Sequence, residues 1–103
     1  MKRRGRRMRA SIHPGEILKS EFLDELGLSA YALAKALRVP ANRITRIVNG
    51  ERGITADTAL RLARYFGTTP EFWLNLQTHY DLSMARRSVG SVIEREVPKM
   101  AAA

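Results

Sequence analysis

Helix start and stop signals recur along this chain at short intervals and divide it into brief amphipathic segments. Pro14 and Pro70 stand at the first position of two segments, where proline is tolerated because the N–H it lacks would be unpaired there. Ser29 and Thr55 precede two others as capping residues. Gly27 follows the first segment as a stop, and Gly67 follows the segment that Thr55 begins. No stretch alternates as a strand does. The pattern predicts an all-α fold of five helices with a possible short sixth.

Each predicted helix has an apolar stripe that we expect to face a common core. The stripes comprise Ile17, Leu18, Phe22, Leu23 and Leu26 in the first helix; Leu33, Ala34 and Leu37 in the second; Ile44, Ile47 and Val48 in the third; Ala59, Leu60, Leu62, Ala63 and Phe66 in the fourth; and Phe72, Trp73, Leu76 and Tyr80 in the fifth. Val89, Val92, Ile93 and Val97 would line the sixth, which Gly90 and Pro98 weaken. A chain of 103 residues fits one domain with a modest core.

The net charge of +8 is unevenly distributed. Six positive charges and no negative one lie in residues 1–9, which leaves a net charge of only +2 for the rest. The charge therefore does not by itself mark the folded part as a nucleic-acid binder. We predict a flexible basic tail at 1–11, a folded domain at 12–84 and a C-terminal extension at 85–103. The tail could be a nucleic-acid arm, a solvated appendage or a product of start-site choice, since Met8 could initiate.

Several classes of protein are excluded or disfavoured. The absence of cysteine rules out disulfides and thiolate metal sites and is compatible with the cytoplasm. No apolar run is long enough to span a membrane. His13 and His79 have no acidic neighbours at metal-ligand spacing, and no phosphate loop or nucleophile motif is present. We therefore expect no enzyme, no metal and no cofactor, and we interpret His13 as a helix-entry residue.

The third predicted helix, between Pro40 and Gly50, has two contrasting faces. One face carries Asn42, Arg43, Thr45, Arg46 and Asn49, and the other carries Ala41, Ile44, Ile47 and Val48. Any surface helix can be half polar, so this face alone is weak evidence. The order of elements adds to it, because a slim alanine-rich helix, a short turn and this polar-faced helix follow one another. That layout is typical of a helix-turn-helix, whose second helix enters the DNA major groove.

The chain from Leu26 to about Leu76 resembles the Xre/lambda-repressor-like helix-turn-helix domains, through LGLSAYALAKALRVPANRITRIVNG. HPGEILK at 13–19 and GITADTALRLARYFGTTPEFWLNLQ at 53–77 resemble, more narrowly, the HigA antitoxin branch. The resemblance implies a homodimer that binds double-stranded DNA at a palindromic operator and represses its own operon. It also implies a partner toxin of the HigB type, a ribosome-dependent mRNA endonuclease related to RelE.

The resemblance assigns DNA-contacting positions within this sequence. Base contacts are expected from Ala41, Asn42, Thr45 and Arg46, and contacts to the DNA backbone from Ser29, Tyr31, Arg38, Arg43, Asn49 and Arg52. Two positions depart from the family pattern. Ala30 stands where members often have a glutamine that contacts the backbone, so that contact is absent or replaced. Arg38 stands where they often have glycine, so Arg38 tolerates the left-handed conformation or the helix closes another way.

The fifth helix offers a candidate dimer contact. A short chain rarely buries all its large apolar side chains, so part of the stripe Phe72, Trp73, Leu76, Tyr80 and Leu82 could contact a second copy; plain core packing is the alternative. Two other functions stay open from the sequence. One is a stand-alone Xre-type regulator without a toxin, and the other is a protein-binding module that does not bind DNA.

Overall fold

The computed structural model describes residues 11–101, so nearly all of the predicted basic tail lies outside the described part. Five helices follow one another, and the described residues contain no strand. Helix α1 consists of three consecutive segments, Pro14–Ile17, Leu18–Leu23 and Asp24–Leu26, of which the middle one is π-helical. The others are α2 (Ala30–Leu37), α3 (Ala41–Val48), α4 (Ala56–Phe66) and α5 (Pro70–Glu96). The predicted all-α fold of five helices is confirmed.

The helix boundaries follow the caps that the sequence predicts. Ser29 Oγ accepts the N–H of Ala32, and Thr55 Oγ1 accepts the N–H of Thr58. At the end of α1, Gly27 is left-handed with a φ of 63°, and the N–H of Leu28 bonds back to the carbonyl of Leu23. This closing turn brings Leu28 onto the core. The prediction that Leu26 faces the core is therefore wrong, because its side chain is exposed.

The π-helical segment of α1 aligns residues five apart. Leu18 and Leu23 are both buried, which an α-helical spacing of five would not favour. Phe22 then lies beside them and packs its ring on Phe66 and Trp73, with ring centroids 4.8 and 4.9 Å away. The wider turn thus lets α1 present three large side chains to the core.

Trp73 is the largest side chain of the core and is completely buried. Its indole N–H donates to Thr68 Oγ1 at 2.8 Å, so its polar atom is satisfied. On α4, Ala59, Leu62 and Ala63 are buried as expected. Leu60 was expected there too, but its side chain is 60% exposed, because it lies on the opposite side of α4 from Leu62.

Helix α5 is much longer than the sequence predicts. It runs through 27 residues without interruption, so the predicted sixth helix is its C-terminal part and not a separate element. Gly90 does not break it, because an isolated glycine costs only about 1 kcal/mol in a helix. The predicted domain boundary at residue 84 falls inside α5. From Asp81 onward the side chains are nearly all exposed, so about half of α5 projects from the domain. No described helix is long and apolar enough to cross a membrane.

Candidate nucleic-acid interface

Helix α3 packs one face on the domain and presents the other to solvent. Ile44 and Ile47 are completely buried and fix its rotation. Asn42 and Arg46 are exposed, as the wheel predicts. Ala41 and Thr45 are half-buried at the edge of that face. The exposed side therefore offers an amide, a guanidinium, a hydroxyl and small methyl groups, without a large apolar side chain.

The C-terminal end of α3 rests against the start of α1. A Cβ atom at residue 15 would lie 1.8 Å from the carbonyl oxygen of Ile47, so only glycine permits this approach. His13 is buried beside it, and its Nδ1 accepts the N–H of Gly15 at 2.9 Å. The imidazole edge meets the ring of Tyr80 on α5 with centroids 4.9 Å apart. The interpretation of His13 as a helix-entry residue is thus confirmed, and His13 also packs against α5.

Burial lowers the pKa of His13 below 6.5, while Glu16, Asp81 and a hydrogen bond with the backbone of Arg52 oppose the shift. The neutral ring is also the form that the geometry requires. Nδ1 can accept a hydrogen bond only when it carries no proton. The N-terminal cap of α1 therefore depends on an uncharged His13.

The turn between α2 and α3 begins at Arg38, which adopts the left-handed conformation with a φ of 62°. The N–H of Arg38 bonds to the carbonyl of Lys35 at 3.2 Å, and the N–H of Val39 bonds to that of Ala34 at 3.0 Å. These two bonds form the closing motif that usually carries glycine. Of the two alternatives left by the sequence, Arg38 takes the strained one. Its side chain is exposed.

The other residues predicted to contact the DNA backbone lie at the ends of the helix pair. Tyr31 and Asn49 are exposed, and Arg52 is half-buried after the end of α3. Ser29 is exposed too, but its hydroxyl oxygen already accepts the N–H of Ala32. Its O–H can still donate to a phosphate. These positions lie at or next to the ends of α2 and α3.

A helix-turn-helix family model matches residues 19–73, more than half of the chain. The chain is 58% identical over 88 residues to virulence-associated protein I of Dichelobacter nodosus, with 85% of this chain and 82% of that protein covered. The structure of an addiction module antidote protein of the HigA family from Coxiella burnetii superposes with a TM-score of 0.84 at 58% identity, covering 88% of this chain and 99% of that one. The Pseudomonas aeruginosa antitoxin HigA, solved with the higBA promoter, gives a TM-score of 0.86 at 49% identity, with 88% and 99% covered. The chain belongs to the HigA-type antitoxins of the helix-turn-helix family.

Within this HigA-type domain, the structure gives Arg43 a protein partner. Its Nη1 donates to Asp57 Oδ2 on α4 at 2.6 Å, and its side chain is 24% exposed. Arg61 Nε donates to the same oxygen at 2.9 Å, and Arg61 Nη1 donates to the carbonyl of Leu37 at 2.8 Å. The side chain predicted to reach the DNA backbone thus turns toward α4 here.

The residues predicted for a dimer contact divide into two groups. Trp73 is buried within one copy, so its assignment to an intermolecular surface is wrong. Leu76 and Tyr80 are half-buried, Leu76 packing against the core and Tyr80 against His13. Phe72 and Leu82 are exposed and remain available. The larger exposed apolar surface lies further along α5, where the sequence predicted only a weak helix.

Sequence reasoning missed Asp57 and Arg61 as parts of the site. Asp57 lies in the first turn of α4, where an acidic residue is favourable for any helix. The spacing of four residues between Asp57 and Arg61 is a signal for a pair on one helix face. Nothing in the sequence pairs either residue with Arg43, because that contact depends on how α3 and α4 cross.

Proposed function

We propose that this protein is an antitoxin that binds a palindromic operator of its own toxin–antitoxin operon in the cytoplasm and neutralises a HigB-type toxin. The observation that carries the DNA-binding part is the polar face of α3, which stays exposed because Ile44 and Ile47 anchor the opposite face. The family membership of the chain supports the antitoxin role. The proposal assigns no catalytic step to any residue.

The exposed face of α3 fits direct readout of bases. Asn42 can pair with both adenine edges in the major groove, and Arg46 with both acceptors of guanine. Ala41 and the methyl group of Thr45 can meet a thymine methyl. An α-helix with its side chains is about 10–12 Å across, so α3 fits a major groove about 12 Å wide.

The backbone contacts would come from the ends of the helix pair. Arg38, at the turn, and Arg52, after α3, supply charge, while Ser29, Tyr31 and Asn49 supply hydrogen-bond donors. Such contacts fix register on the duplex without selecting sequence. Loss of a base contact should therefore relax sequence preference, whereas loss of a backbone contact should weaken binding to every sequence.

A second copy of the chain provides the symmetry that a palindrome requires. The projecting half of α5 is the surface that we assign to this dimer. Leu82, Val89 and Ile93, 47%, 41% and 50% exposed, line one shallow groove together with Ala85. Their spacing of seven and four residues places them along one side of a helix. An isolated helix with such a stripe is stabilised by packing against another.

The charges beside this stripe favour an antiparallel pair. Arg86 and Glu94 lie four residues before and four after Gly90, and all three line the same groove. A two-fold axis at Gly90 therefore places Arg86 of one copy next to Glu94 of the other, twice. The absence of a side chain at Gly90 lets the two helices approach closely where they cross.

Binding of the intact protein to DNA from upstream of its own reading frame tests the proposal. Asn42→Ala and Arg46→Ala should each weaken specific binding by about 1–3 kcal/mol and relax base preference, with circular dichroism checking the fold. Arg52→Ala is the matched control for charge. It should weaken specific and random binding alike and reduce the salt slope by about 1. Full retention of the specific-to-random ratio in both base-contact variants would exclude α3 as the reading helix.

The toxin part needs its own experiment. Expression of the neighbouring reading frame alone should arrest growth, and co-expression of this protein should restore it. Asn42→Ala should neutralise as well as the wild type if the toxin uses another face. Operator binding without any neutralisation would instead identify a stand-alone regulator.

A further inference from the structure

The first turn of α3 lacks a local cap. Pro40 precedes it, and among the described residues no side chain caps its N–H groups and no acidic residue lies in its first turn. Capping of this kind usually stabilises a helix start by about 1 kcal/mol. The start of α3 is instead connected to the neighbouring helix α4 by the hydrogen bond from Arg43 to Asp57.

The tie continues to the end of α2. Arg61, one turn after Asp57, donates to the same carboxylate oxygen and also to the carbonyl of Leu37. Leu37 is the last residue of α2, where carbonyls have no partner within the helix and cations are favoured. We call Arg43, Asp57, Arg61 and the Leu37 carbonyl the Asp57 network. It joins the end of α2 to the start of α3 through α4.

The carboxylate is charged under ordinary conditions. Hydrogen bonds from Arg61 and, next, Arg43 lower the pKa of Asp57 below 3.8. A single anion thus lies between two guanidinium groups from different helices. Because Arg43 directly follows Asn42 in α3, the anchor of the network is adjacent to a base-contacting position.

We propose that Asp57 is a positioning residue for base recognition, which it serves by holding Arg43 and Arg61 so that the first turn of α3 meets the groove at a fixed angle. Arg43 is then a partner of Asp57 and not the phosphate contact that the resemblance implies. The inference rests on the proposed DNA-binding function. Helix α4 would then contribute to base selectivity without itself contacting DNA.

A simple charge effect predicts the opposite result. A carboxylate near DNA repels phosphates, so its removal alone raises affinity for every sequence. Loss of positioning instead lowers affinity for the operator while affinity for random DNA rises or stays constant. The ratio of operator to random binding therefore distinguishes the two explanations, whatever the absolute affinity.

The experiment measures both affinities of the full-length protein at one salt concentration for Asp57→Asn and for Glu51→Gln. Glu51 is exposed just after α3, so Glu51→Gln removes the same charge close to α3 without touching the network. We expect Asp57→Asn to reduce the operator-to-random ratio roughly tenfold, the size of one lost base contact, and Glu51→Gln to leave it unchanged. An unchanged ratio in folded Asp57→Asn overturns the inference, as does an equal fall in the control.

A double-mutant cycle identifies the partner. Arg43→Ala should reduce the ratio as Asp57→Asn does, and the double variant should be little worse than either single one. Asp57→Glu, which keeps the charge, should recover most of the ratio. If Asp57→Asn fails to fold, Arg43→Ala still decides, because a phosphate contact would reduce both affinities and the salt slope but spare the ratio. Failure of the wild type to prefer its operator would contradict the proposed function itself and not this inference alone.

Discussion

At its C-terminal end, α3 lies against the backbone of α1, where Gly15 leaves no room for a side chain beside the Ile47 carbonyl. At its N-terminal end, by contrast, α3 is tied by charged side chains, Arg43 and Asp57, that remain partly in contact with water. One end thus depends on shape and the other on electrostatics. Close packing of backbone atoms is insensitive to salt and does not tolerate added atoms. An exposed ion pair is weak, screened by salt and easily replaced.

The largest expected effect comes from filling the contact at the C-terminal end. Gly15→Ala should cost about 3 kcal/mol or more in the free energy of unfolding, because a backbone carbonyl must move to admit the methyl group. Urea denaturation followed by circular dichroism measures it.

The matched control is Gly67→Ala, whose new Cβ would meet no atom within 4 Å, so that only the left-handed backbone conformation opposes it. It should cost about 1 kcal/mol, clearly less than Gly15→Ala. Equal stabilities of Gly15→Ala and the wild type would contradict the close approach of α1 and α3.

A smaller effect, of opposite sign, is expected at the turn before α3. Arg38→Gly should raise the free energy of unfolding by about 1 kcal/mol, because it removes the cost of a left-handed non-glycine residue. The same variant should weaken binding to all DNA if Arg38 contacts phosphate. Thermal unfolding and a salt titration of DNA binding measure the two consequences. Arg64→Gly, in regular α4, should destabilise and serves as the comparison.

Between about pH 7.5 and 5, acid should act only on the C-terminal end of α3, because the pKa of Asp57 lies below 3.8. The effect should be weaker, since Glu16 and Asp81 oppose the shift in the pKa of His13. The pKa of His13 is lower in the folded protein than its unfolded value of 6.5, so the unfolded chain takes up this proton first as the pH falls. Its contribution to stability is complete above about pH 6.5 and declines as the pH falls from there through the folded pKa.

His13→Asn provides the control for this effect, because asparagine caps helices and does not titrate in this range. Stability measured from about pH 7.5 to 5 should fall more steeply in the wild type than in His13→Asn. Parallel pH profiles would show that His13 takes no part.

The smallest effect is the salt dependence of the ion pair at the N-terminal end of α3. Arg43→Ala should lower the melting temperature slightly in dilute buffer and not at all at about 1 M salt, where the Debye length is about 3 Å. Gly15→Ala should remain destabilised at both concentrations. A salt-independent loss in Arg43→Ala would mean that Arg43 acts by packing, and the contrast between the two ends would disappear.

The sequence was sufficient for local features and insufficient for relations between elements. Caps at Ser29 and Thr55 depend on neighbouring residues, so these helix starts were predictable. The buried stripe of α3 follows from helical spacing. The continuation of α5 through Gly90 was not predictable from a rule that treats glycine as a weakness. The exposure of Leu26 depends on a closing turn that favours Leu28 instead.

The candidate site shows the same limit. Asn42 and Arg46 could be placed on an exposed face from the wheel alone. The partner of Arg43 could not, because Asp57 is fourteen residues away and meets it only through the crossing of two helices. Trp73 was misassigned because a large apolar residue at helical spacing looks the same whether it packs inside one copy or between two.

The projecting half of α5 has a consequence for how the protein responds to dilution. Where dimers are the minor species, their number varies with the square of the total concentration, so halving the protein leaves about a quarter of the dimers. An operator that accepts only dimers would then lose occupancy faster than the protein itself is lost. In the proposed dimer, the stripe from Leu82 to Ile93 would set the concentration at which this steep regime begins, so a substitution there would change the threshold of repression without changing a contact to DNA.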